Sequence, residues 1–212
     1  MKWTVRLMVL VALVGVVAGC SKPPTQEMEA AKAKLEAART AQADQYAPTE
    51  WQAAQDAMNA ADQEITAQNA KMALMRNYKQ AKALVATADD AAGKAQEAAV
   101  AGKEKMKGEA EQLIANATAA IDSSQALMKK APRGKETKAD LDLIQGDIDA
   151  AQSSLQEAQT AMTQTDYITA KAKAQAVIDK ATQVSSEITA AMEKVKGLKD
   201  WQILQKTFDK LK

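Results

Sequence analysis

The chain has 212 residues with four Pro and eight Gly; 47% of its side chains are apolar but only 3% are aromatic, so much of the apolar share is Ala. Twenty-eight basic against 27 acidic side chains give a formal charge of +1, which argues against a broad phosphate-binding surface and against nucleic acid as a partner. There is no His, and the one Cys is Cys20, which excludes His-based triads, His metal sites and intrachain disulfides.

The chain begins with Lys2 and Arg6, followed by an uncharged apolar run from Leu7 to Gly19, the pattern of a signal segment. A spanning helix needs about 20 apolar residues, and Ser21, Lys22, Pro23 and Pro24 stop this run early. Val17-Ala18-Gly19-Cys20 resembles the bacterial lipobox, in which an aliphatic and two small residues precede a Cys that becomes N-terminal and lipidated. The resemblance implies removal of residues 1–19 and acyl chains on Cys20, each buried CH₂ contributing about 0.8 kcal/mol to membrane attachment. The alternatives are secretion with a free thiol and an uncleaved anchor. Ser21 follows the Cys rather than Asp, and in a Gram-negative cell this implies transfer to the periplasmic face of the outer membrane. Loss of Lys2 and Arg6 with the leader leaves 26 basic against 27 acidic side chains.

Residues 20–26 read as a lipidated tether, 27–101 as a first helical unit, 102–198 as a second, and 199–212 as a C-terminal amphipathic helix. The expected fold is all-α: an elongated antiparallel helical bundle of two tandem three-helix units sharing a long connecting helix. The breaks are Tyr46-Ala47-Pro48, where Thr49 is a candidate cap, and Lys130-Ala131-Pro132 with Gly134. Polar turns precede Tyr78 and Tyr167. The predicted helices cover 25–45, 49–73, 76–101, 104–130, 136–163 and 166–198. Gly102 to Gly108 contains no Pro, so either a continuous helix over 76–130 or a bend at one of the glycines fits. Gly197 and Asp200 are candidates to start the last helix separately.

Apolar residues recur at alternating steps of three and four. One seam reads Trp51, Ala54, Met58, Ala61, Ile65 and later Met72; another Tyr78, Ala81, Val85, Ala88, Ala92, Ala95, Ala99. Beyond the second break, Leu141 to Met162 and Tyr167 to Leu198 keep the same rhythm. Small Ala side chains predict close helix approach with little hydrophobic energy per residue.

Cys20, Tyr46-Ala47-Pro48, the Ala-rich helix after it and the Tyr78-x-x-Ala81 start resemble the bacterial lipoprotein family called domain of unknown function 4398. The likeness covers roughly residues 25–100; in the second half Lys130 stands where the Tyr would be. It implies a helical envelope lipoprotein and brings no activity.

Asp140, Asp142, Asp147 and Asp149 surround Gly146 but miss the register of a Ca²⁺ loop, because Ala151 falls where the bidentate Glu belongs. They alternate with the apolar seam and read as a solvated helix face. The eight Met residues beyond the leader, Met72 and Met75 among them, offer soft ligands to Cu(I), but at seam positions Met reads as a filler of a thin core. Asp89-Asp90 and Glu109 with Glu111 diverge on a helix instead of converging on a substrate. No cofactor or metal is expected, and the chain reads as non-catalytic. Trp201, Phe208 and Lys212 are candidate partner contacts. Terminal Lys212 also resembles the peptidoglycan-linked Lys of the murein lipoprotein.

The expected function is a membrane-anchored periplasmic lipoprotein with a structural or protein-interaction role in the cell envelope, partnered by the membrane and by an envelope protein or peptidoglycan. The alternative is a binding module holding a lipid, peptide or peptidoglycan strand between its helices. The sequence leaves the oligomeric state open.

Overall fold

A computed structural model of the chain describes residues 22–134 and 137–210. Among the described residues the regular elements are helices, with no strand, and they form an all-α bundle. They are α1 (Thr25–Thr40), α2 (Ala43–Tyr46), α3 (Pro48–Asn69), a 3₁₀ turn (Ala73–Met75), α4 (Lys79–Lys130), α5 (Lys138–Thr163) and α6 (Tyr167–Lys210). The chain divides into two compact units between Lys103 and Glu104. The 52-residue α4 supplies a helix to each, passing through Gly102 and Gly108 without interruption. Each Gly costs a helix only about 1 kcal/mol, and no Pro intervenes.

In the first unit, the α4 seam from Tyr78 to Ala99 is buried at every predicted position. Met28 and Ala31 of α1 pack with Met58 and Ala61 of α3 and with Val85 and Ala88 of α4. Further along, Ala38, Ala54, Ala92, Ala95 and Ala99 form a second cluster with Ala43 and Ala47. Residue numbers rise together in α1 and α4 and fall in α3, so α3 runs antiparallel to the other two. The cluster of Ala side chains brings backbones close, and one such approach is at Gly102. A Cβ placed there would lie 2.3 Å from the Tyr46 carbonyl oxygen, a distance that only a residue without a Cβ tolerates.

The predicted helix over 25–45 is broken at Ala41-Gln42. Gln42 adopts a left-handed conformation (φ 61°, ψ 43°), and its N–H donates to the Arg39 carbonyl at 2.8 Å. From α4, Lys103 Nζ donates to Gln42 Oε1 at 2.8 Å and sits 5.6 Å from the centre of the Tyr46 ring. No local Gly or Pro marks this break, which a residue 61 positions away helps to hold. At the next break, Thr49 does not cap α3. Ala47 occupies the cap position and Pro48 the first helical position, where its missing N–H leaves no bond unmade and its fixed φ suits the helix.

The prediction that α3 reaches residue 73 with Met72 on its seam is also corrected. The helix ends at Asn69; Gln68 is the buried residue that follows Ile65 on the seam, and Met72 is 72% exposed. The Gln68 amide explains the ending. Its Nε2 donates to Glu64 Oε1 at 2.7 Å, while its Oε1 accepts from the Asn77 N–H at 3.0 Å and from Lys71 Nζ at 3.2 Å. One buried polar group thus fastens the helix end to the following loop, satisfying atoms whose burial without partners would cost about 1–3 kcal/mol.

In the second unit, Lys173, Lys180 and Lys194 of α6 pair with Glu157, Asp147 and Asp140 of α5; one series rises as the other falls, so these helices are antiparallel. Lys171 pairs with Glu109 and Ser124 Oγ bonds the Ala181 carbonyl, so α4 and α6 run parallel. The core is bulkier than that of the first unit, with Ile121, Met128, Leu141, Ile144, Ile148, Val177, Val184 and Ile188. The α6 seam is buried from Ala170 to Ala191, with Tyr167 and Val195 half-buried. Along α5, Ala161 is buried and the predicted Met162 half-buried. At the predicted break between α4 and α5 the buried Thr137 holds the turn: its Oγ1 accepts from the Gly134 N–H at 3.1 Å and donates to the Pro132 carbonyl at 2.8 Å. The expected separate helix over 199–212 is corrected as well, because α6 continues through Gly197 and Asp200 to Lys210. A single glycine without a following Pro does not end so long a helix.

Candidate functional site

Of the residues singled out in the sequence, Cys20 and Lys212 lie outside the described residues. Trp201 and Phe208 have helical backbone within α6, and their side chains lie outside the described ones. The structure does describe the point where the N-terminal segment joins the bundle. Pro24 is fully buried, the Pro23 carbonyl accepts the Thr25 N–H at 2.9 Å, and the Pro24 carbonyl accepts the Met28 N–H at 3.0 Å. With helix beginning at Thr25, the expected tether of residues 20–26 is shortened on its C-terminal side, since Pro24 is already packed.

This junction lies at one end of the first unit. Lys32 pairs with Asp62 at 3.4 Å and Lys34 with Asp89 at 2.6 Å. These pairs, with the Met28, Met58 and Val85 cluster, fix the register. Following it back one or two turns places the start of α1 beside the end of α3 and the start of α4. The loop joining α3 to α4 closes the same end. Arg76 Nε donates to the Lys71 carbonyl and Nη2 to the Asn69 carbonyl, each at 2.9 Å. The buried Tyr78 hydroxyl bonds Asn69 Oδ1, and the Lys79 N–H donates to Asn77 Oδ1 at 3.0 Å. These bonds anchor the base of the loop, and its tip points outward: Met72, Leu74 and Met75 are 72%, 81% and 66% exposed.

That apolar tip is the feature that sequence reasoning missed, because Met72 fitted the seam rhythm. A signal was present: Thr66 to Ala88 contains Lys71, Arg76, Lys79 and Lys82 and no carboxylate.

The weighed constellations fall apart into separate local contacts. Asp140 faces Lys194 and Asp147 faces Lys180, while Asp142 pairs with Lys138 and Asp149 accepts from Gln145 at 2.9 Å. Among the described residues, no group of three His, Cys, Asp or Glu side chains is placed to hold a metal ion. Met28, Met58 and Met128 are buried in three-helix contacts, whereas Met72 and Met75, also expected in the core, are exposed because α3 has already ended at Asn69. Asp89 turns to Lys34, and Glu109 to Lys171, whose hydrogen bond and charge hold the Glu109 carboxyl below its ordinary 4.5. Asp166, before α6, is held below its ordinary 3.8 by hydrogen bonds from Thr169; the Thr169 N–H donates to its Oδ1 at 3.0 Å. Among the described residues of the second unit, a surface cleft of about 360 Å³ is bordered by Met128, Arg133 and Leu141, and another of about 360 Å³ by Leu143, Ile144 and Lys194. Among the described residues, no helix is long and apolar enough to cross a membrane.

No family model, curated protein or solved structure matches the chain.

Proposed function

We propose that the chain is a lipid-anchored lipoprotein of the bacterial cell envelope, held by acylated Cys20 to the periplasmic face of the outer membrane, with a structural or protein-interaction role and no catalytic one. The observation that carries this reading is the order Lys2, Arg6, apolar Leu7 to Gly19, then Val17-Ala18-Gly19-Cys20 at its end. Acyl chains at one Cys supply the attachment that a run of this length does not supply by spanning. The buried Pro24 supports the reading, because it ends the tether against a folded body only a few residues beyond Cys20. Membership in the domain of unknown function 4398 family belongs to the same proposal; Tyr46-Ala47-Pro48 and Tyr78, which carry the resemblance, both occupy corners of the first unit.

Metabolic labelling with palmitate tests it. The chain should take up label in the membrane fraction, and Cys20→Ser should lose the label and release the protein from that fraction. An unlabelled chain, or a Cys20→Ser variant that stays labelled and membrane-bound, overturns the anchor. The proposed partner is an envelope protein or peptidoglycan, to be sought by crosslinking from positions 201, 208 and 212 in intact cells.

A further inference from the structure

We infer that the Met72-Ala73-Leu74-Met75 tip is a second membrane contact, which seats the end of the first unit on an anionic bilayer. This deepens the anchored reading and rests on it for the direction of the tether.

Three observations converge on the tip. The first is exposure. Among the described side chains, the other large apolar groups that reach solvent, Val100, Leu143, Ile168 and Ile203, are scattered along the sequence, whereas Met72, Leu74 and Met75 stand out together from one tight turn. The turn's base is fixed by Arg76, Asn69, Gln68 and Tyr78, so the tip is held outward rather than awaiting burial in its own unit. Contiguous exposed apolar groups of this kind mark contact surfaces.

The second observation is charge. Lys71 and Arg76 flank the tip, Lys79 and Lys82 follow on the first turn of α4, and Lys22 precedes α1 at the same end. Against these five cations stand Glu27, in the first turn of α1 and level with Lys82 by the Lys34–Asp89 register, and Glu64, which borders one surface hollow with Lys71 and Lys79, so positive charge prevails at this end. An apolar tip ringed by cations matches the boundary between acyl chains and anionic headgroups. Each Lys or Arg near such a surface is drawn to it, and Met and Leu enter the acyl region.

The third observation is where the chain leaves the bundle. Pro24 is packed at this end, and only residues 21–23 separate it from Cys20, preceded by the apolar run of Leu7 to Gly19. Even fully extended, the residues from Cys20 to Pro24 reach only about 14 Å. Whatever bilayer holds Cys20 therefore lies within a short reach of the end that presents the tip. A protein partner would require the same exposed face, and the clustering of cations around it with the tether beside it favours lipid.

The test places a photo-crosslinking phenylalanine analogue at position 74 of the full chain, where the side chain is 81% exposed and its replacement disturbs no packing. A control carries the analogue at exposed position 49, at the opposite end of the same unit. Each protein is reconstituted in vesicles of phosphatidylethanolamine with phosphatidylglycerol and irradiated. Position 74 should give phospholipid adducts several-fold above position 49, falling several-fold when phosphatidylglycerol is left out. Adducts at 74 no more abundant than at 49, or adducts only to protein in intact cells, overturn the inference. Palmitate labelling reads the anchor separately. A labelled chain with no lipid adduct at 74 sinks the second contact alone, and an unlabelled chain with strong adducts at 74 sinks the acyl anchor alone.

Discussion

Gly102 and Gly108 lie on the same helix, yet adding one methyl group to each should have opposite effects. At Gly108 nothing lies within 4 Å of the new Cβ, so Gly108→Ala removes the backbone entropy cost of glycine and should stabilise by about 0.5–1 kcal/mol. At Gly102 the same Cβ would sit 2.3 Å from the Tyr46 carbonyl oxygen and 3.1 Å from its carbonyl carbon. Ordinary contact begins near 3.4 Å, so the Tyr46-Ala47-Pro48 corner must withdraw by about 1 Å, and the obstacle is backbone rather than a flexible side chain. Overpacking of this kind costs about 1–3 kcal/mol, and the rigid obstacle places it near the upper value. After subtracting the helix gain of about 1 kcal/mol, Gly102→Ala should destabilise by about 1–2 kcal/mol. The withdrawal should also loosen the bond from Lys103 Nζ to Gln42 Oε1. Urea titration of the purified variants, followed by the helical circular dichroism signal, measures the sign directly. A Gly102→Ala protein as stable as Gly108→Ala would refute the close approach and with it the packing of the first unit.

Tyr78→Phe removes a buried hydroxyl bonded to Asn69 and should cost about 1 kcal/mol, whereas Tyr167→Phe, at a half-buried position, should change stability by less than half of that; paired thermal melts decide. Ile148→Ala, at a site 2% exposed among large aliphatic neighbours, should destabilise by about 2–5 kcal/mol, and a loss below about 1 kcal/mol in a denaturant titration would mean that the second core is loosely filled. Acid should act through Glu109 and Asp166. Both carboxyls are lowered in the folded chain, so the stability they add is present above their ordinary values of 4.5 and 3.8 and is lost as pH falls through their folded values. Melting temperatures measured across that acid range should fall less steeply in Glu109→Gln and in Asp166→Asn than in the parent, and equal slopes would contradict the assignment.

The two halves of the functional reading have different sources. Everything said of Cys20 comes from the order of residues before it, because a lipobox is a short linear pattern. The apolar tip was hidden in the sequence by its agreement with a seam. Met72 falls on the rhythm that begins at Trp51, and nothing in the spacing shows that the Gln68 amide will take up the neighbouring backbone and end the helix at Asn69.

The sequence by itself determined that this protein is helical, which faces its helices bury, and that Pro48 and Pro132 interrupt them. Those properties repeat every few residues and depend on local geometry and on the small volume of Ala. Only the tertiary structure decided that α1 breaks at Gln42, that Gly102 receives the Tyr46 carbonyl, that α4 and α6 run unbroken past their glycines, and that Met72 faces solvent. A weak preference of about 1 kcal/mol, such as a glycine in a helix, does not settle where a long helix ends or bends; contacts such as Lys103 to Gln42, between residues far apart in the chain, outweigh it.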